Sequence, residues 1–263
     1  MIGVINLFLP LFVQVLILYA LSRLLDRVVL RQLGKGWYLA TMWPGVMVHE
    51  LSHALGCLLT FTKIYKINLF KLEGDTLGSV EHAHIKNPLT KIIISTAPLF
   101  GVTAAMWGLT ILFFPDLYKV HIEGVGIALE NFSTFQNFFN FTASYFTQYW
   151  DFLKELVVNL NFSEWQTYVF LYLMLTLSSH AAPSKKDLNY TVSGIFVLAI
   201  VFLALYYFDQ WIQVPLTWSV IKFLTWPIYL VANFLIYGIA FSAVSLVIMQ
   251  GIGLILRAFK RGS

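Results

Sequence analysis

Apolar residues gather along this chain in blocks of about 20, the length that crosses ~30 Å of hydrocarbon as a helix. The blocks cover Val4–Leu25, Trp37–Thr62, Leu89–Phe114, Trp165–Ala182, Tyr190–Phe208 and Leu224–Leu256. The first is too long for a signal-peptide core and lacks a small-x-small cleavage site, so it reads as a retained span. In the last, Pro227 is expected to open the membrane part, with Trp211–Phe223 lying in the interface. One connection breaks the pattern. Ile64–Leu72 mixes β-branched, aromatic and polar residues, Glu73-Gly74-Asp75 forms a turn, and Leu77–Ile85 follows. That order predicts a β-hairpin whose edges are shielded by protein or water. The expected fold is an all-α polytopic membrane protein of about six transmembrane helices with a small membrane-associated β-hairpin. It forms one membrane domain over 1–263, in four stretches. Residues 37–114 hold two spans and the hairpin, 115–164 an outer aromatic loop, 165–210 two further spans, and 211–263 the C-terminal interfacial and transmembrane helix.

Composition agrees and removes several classes of function. Hydrophobic residues make up 59% and charged residues 11%, with a mean hydropathy of +0.75. Soluble domains carry about 25% charged residues, so a soluble enzyme, a disordered chain and a coiled coil are excluded. The net charge of +4 comes without a basic stripe on a polar helix, which argues against a nucleic-acid partner. Lys and Arg instead mark cytoplasmic flanks: 63–91 nets +2, 182–189 nets +1 and the tail from Arg257 nets +3. The 115–164 loop nets −4 and is assigned to the outside, whereas 23–36, net +3, falls on the wrong side of that scheme. The expected location is a prokaryotic cell membrane. Crowded aromatics in the outer loop, from Phe132 to Trp150, suggest an interfacial helix or a docking surface for a partner protein. The lone Cys57 allows no intramolecular disulfide.

The second block contains His49-Glu50-Leu51-Ser52-His53. On a helix, His49 and His53 are i and i+4, so both imidazoles leave one face at a separation one metal ion can bridge. Glu50, in the same turn, can act as a general base toward water that the metal activates. It is the only acidic residue well inside an apolar block, where an ionisable group costs on the order of 3 kcal/mol. Zn2+ is the expected ion, and a catalytic zinc needs a third protein ligand with a fourth position open. The candidates sit at the end of the fourth block, in Ser178-Ser179-His180-Ala181-Ala182-Pro183-Ser184-Lys185-Lys186-Asp187. Asp187 is the favoured ligand. Ser184 and Asp187 also fit a capping box for the fifth helix, and the two roles are compatible. His180 is a rival ligand, or a hydrogen-bond donor to the oxyanion of a tetrahedral intermediate. His82 and His84 read as a polar strand face rather than a second metal site.

An HExxH on a span, a hairpin after it, and then a span carrying Ser95-Thr96-Ala97-Pro98-Leu99-Phe100-Gly101 resemble the site-2 protease type of zinc intramembrane metalloprotease. That family has a small-small-Pro element there, and a later Asn-x-x-Pro...Leu-Asp-Gly segment whose aspartate ligates zinc. The matching segment here is His180-Ala-Ala-Pro183...Lys186-Asp187-Leu188, with His in place of Asn and Leu188 in place of Gly. The resemblance covers 37–110 and 165–210. It implies a zinc endopeptidase that cuts a membrane-anchored protein within the lipid bilayer, using Glu50 as catalytic base, with the hairpin holding an unwound substrate strand. A different class, a non-proteolytic scaffold with a closed structural metal site, would use four protein ligands and leave no water position. A CaaX prenyl protease type would need a later glutamate as ligand, and every glutamate after Glu81 lies in the outer loop.

Overall fold

The computed structural model describes residues 2–32, 34–71, 77–115, 147, 150, 151, 154–212 and 216–262. Six long helices dominate the described residues: α1 (Ile2–Gln32), α2 (Lys35–Leu59), α3 (Pro88–Phe113), α4 (Trp165–His180), α5 (Lys185–Ile212) and α6 (Leu216–Gly262). Between α2 and α3 lie strands β1 (Ile64–Asn68) and β2 (Ser79–His82). Each apolar block of the sequence has become one helix. Two stretches, Pro88–Phe113 and Gly238–Ile255, are long and apolar enough by themselves to cross a membrane. The turn at 73–75 and most of the aromatic outer loop, Phe132 through Phe146, lie outside the described residues.

Local chemistry sets the helix ends. Gly34 takes φ 84 between α1 and α2, a left-handed conformation that favours glycine, and its N–H donates to Val29 O. Beside this turn Tyr38 Oη donates to Asp26 Oδ1 at 2.9 Å, tying the two helices together. Asn87 caps α3 by accepting from Leu89 N at 2.9 Å, with Pro88 in the first turn where its missing N–H does no harm. The C-terminal helix runs unbroken from Leu216 through position 227 to Gly262, and within it Gly238–Ile255 is the stretch long and apolar enough to cross a membrane. A proline removes one intrahelical bond, and a long helix packed along α1 tolerates that loss.

The hairpin is antiparallel and shorter than the sequence pattern, pairing Ile64 with His82, Ile67 with Val80 and Asn68 with Ser79. Its irregularity between Ile64 and Lys66 is a bulge-like register shift. The main core joins Leu18 of α1, Val102 and Met106 of α3, Phe170 and Met174 of α4, and Leu235 of α6, all fully buried. Around α2 the packing is closer still. Gly45 faces the backbone of Thr176 in α4 so closely that no side chain fits between them. On α3, Ile94 and Ala97 press on Gly56, and Gly101 presses on Ser52. Small residues therefore bring the backbones of α3 and α4 within reach of the α2 histidines.

Candidate metal centre

His49 and His53 project from one face of α2, with ring centroids 5.0 Å apart and edge to face. One device orients both. Nδ1 of His49 lies 2.7 Å from the carbonyl oxygen of His180, and Nδ1 of His53 lies 2.8 Å from that of Ile94. A carbonyl only accepts, so both Nδ1 atoms carry a proton, and each ring when neutral presents a lone pair on Nε2. Both Nε2 atoms face Asp187 Oδ2, at 3.9 Å from His49 and 3.4 Å from His53. Three electron-pair donors thus converge, all within 4.8 Å of one another. Repulsion among these lone pairs is relieved either by a proton on a histidine Nε2, which then donates to Asp187, or by a metal ion among the donors. The group could hold a metal ion, and its two-histidine, one-carboxylate chemistry fits a divalent one.

The two orienting carbonyls are available for backbone reasons. In a regular helix the N–H of residue 98 would donate to the carbonyl of residue 94. Residue 98 is proline, and α3 continues through it, so Ile94 O is left for His53. His180 ends α4, and the N–H four residues on, that of Ser184, turns instead to Asp187 Oδ2 at 3.3 Å. Outer-shell partners of this kind fix the tautomer and sharpen the ligand. Pro98→Ala returns a competing N–H to Ile94 O. We expect it to weaken metal binding about tenfold, checked by competition with a coloured chelator.

Asp187 closes the expected capping box and also belongs to the group that could hold a metal ion. Ser184 Oγ donates to Asp187 Oδ2 at 2.5 Å, and Asp187 N donates to Ser184 Oγ at 3.2 Å, closing a capping box at the start of α5. The same carboxylate oxygen faces the histidines. His180 enters the site through its backbone. Its ring Nδ1 lies 3.0 Å from Thr176 O and 2.9 Å from Ser179 Oγ, turned back along α4, and the ring is not part of the ligand group. Glu50 is half-buried beside the cluster without joining it. It shares the wall of one open cavity with His49, His53, Ser95, His180 and Asp187. The group that could hold a metal ion and the Glu50 carboxylate therefore open onto the same cavity.

No family model, curated protein or solved structure matches the chain. The site therefore rests on its own geometry. Sequence patterns bring together His49, Glu50, His53 and Asp187, but they do not single out Ile94, which contributes only a carbonyl. The signal for it was a proline four residues downstream. His82 ends β2 with Nδ1 2.9 Å from Ala83 O, and neither it nor His84 joins the cluster.

Proposed function

We propose that the protein is a zinc-dependent intramembrane endopeptidase, similar to the site-2 protease type, that cleaves a membrane-anchored protein substrate. In this reading all six helices cross the bilayer, His49, His53 and Asp187 hold the ion, and Glu50 is the general base. The observation that carries it is the pair of histidines whose Nδ1 atoms are held by backbone carbonyls, with both Nε2 atoms aimed at one carboxylate oxygen in an open cavity. Three candidate ligands among the described residues, beside an open cavity, favour an open catalytic site over a closed structural one. Zinc, when bound, supplies a Lewis acid that lowers the pKa of water to about 7 and polarises the scissile carbonyl. The Glu50 carboxylate takes the proton from the attacking water and later delivers it to the leaving amine. The α3 and α4 carbonyls keep the histidines in register, and the Ser184 hydroxyl orients Asp187.

The direct test places the purified protein in liposomes with a panel of single-span proteins. Peptide-bond cleavage within a span is expected, abolished by a zinc chelator and restored by added Zn2+. Restoration by Mg2+ but not Zn2+, or no chelator-sensitive cleavage across the panel, overturns the reading.

A further inference from the structure

The hairpin's second arm lies directly on Glu50. A Cβ placed on Gly78 would overlap Cγ of Glu50, and would come within 2.9 Å of its Oε1 and 3.0 Å of its Cδ. Gly78 does not adopt a positive φ, so its backbone conformation does not call for glycine. Space is the reason for the missing side chain. The segment is also fastened. Lys71 N donates to Leu77 O on one side of Gly78, and Lys71 Nζ donates to Ser79 Oγ at 2.9 Å on the other. Asn68 Nδ2 adds a bond to the same hydroxyl at 3.3 Å. One lysine thus holds both neighbours of the glycine that touches the proposed base.

We infer that Gly78, clamped through Lys71, is a positioning residue for Glu50: the 77–79 backbone is a wall that sets the rotamer of the carboxylate. The inference rests on the proteolytic reading only for its consequence, because the wall itself is a contact that can be measured without turnover. Any side chain at 78 pushes the Glu50 carboxylate off its line, and a displacement near 1 Å costs a reaction about 100-fold. The loss falls on kcat, since the metal ligands and the rest of the cavity are untouched.

The test is a double-mutant cycle on the full chain, loaded with zinc in detergent. Gly78→Ala is expected to lower Tm by about 4 °C, and by less than half as much in a Glu50→Ala background, where the added methyl has room. Equal losses in both backgrounds overturn the proposal. With a fluorogenic single-span peptide, Gly78→Ala is expected to lower kcat about 100-fold, with KM and zinc content unchanged. In addition, Glu50→Asp, one methylene shorter, makes the combined loss smaller than the product of the single losses. A loss carried by KM alone, or full additivity, overturns it. Should Gly78→Ala fail to fold, Lys71→Met removes the side-chain clamp without adding bulk at 78. It is then expected to lower kcat about tenfold at equal zinc, and unchanged kcat overturns the proposal. If the wild type cleaves nothing, the proteolytic reading falls while the Tm cycle still decides the contact.

Discussion

A Glu50→Gln protein is expected to bind zinc at the wild-type stoichiometry and to cleave at a rate at least about 1,000-fold lower. Glutamine keeps the length and branching of glutamate, so the contact with Gly78 and the cavity wall survive the change. It loses the one property the mechanism needs, an oxygen that accepts a proton and returns it. The metal should be indifferent, because the three donors come from His49, His53 and Asp187 and Glu50 is not among them. The position argues the same way. An acidic residue in the middle of an apolar helix is expensive, and glutamine is cheaper there. The variant should therefore be no less stable than the wild type, and lost cleavage cannot be blamed on unfolding. Elemental analysis for zinc and the single-span cleavage assay on one preparation decide the matter. Normal cleavage by this variant would sink the general-base role of Glu50 and require another group to take the proton from water.

What the sequence made legible follows from where the information sits. His49, Glu50 and His53 were readable because helical geometry converts spacing of four into a shared face, and Ser184 with Asp187 because a capping box is a local pattern. The hairpin was readable through its change of period, although its paired residues are fewer than the pattern suggested. Contacts made by backbone atoms left no such trace. Ile94 serves through a carbonyl that any residue possesses, and Gly78 serves by what it lacks. Pro44 and Pro98 both lie within continuous helices, and at Pro98 the missing N–H frees the Ile94 carbonyl for His53. His180 was read by its ring, whereas its carbonyl makes the contact with His49.

Substituting Asp187 should have the second large effect, and the choice of substituent separates its two roles. Asp187→Ala is expected to lose the metal and to loosen the first turn of α5, since the same oxygen faces both histidines and receives Ser184. Asp187→Asn retains an oxygen that can accept from Ser184, so the cap largely survives, while a neutral amide is a poor zinc ligand. We expect its zinc affinity to fall by more than the roughly 10- to 100-fold typical of outer-shell changes, with Tm of the metal-free protein near the wild-type value. Ser184→Ala should show the reverse balance, with about 1 kcal/mol lost from the cap and zinc retained more weakly. His180→Ala supplies the contrast, because its backbone carbonyl remains to hold His49 and its ring is turned toward Thr176. That variant should keep its zinc. Zinc retained by Asp187→Asn and lost by His180→Ala would reassign the third ligand to His180, and Asp187 would then be a helix cap alone. Chelator competition and metal-free melting on the four variants read both quantities, and the structure commits to the order: Asp187→Ala and Asp187→Asn weakest for zinc, Ser184→Ala intermediate, His180→Ala strongest.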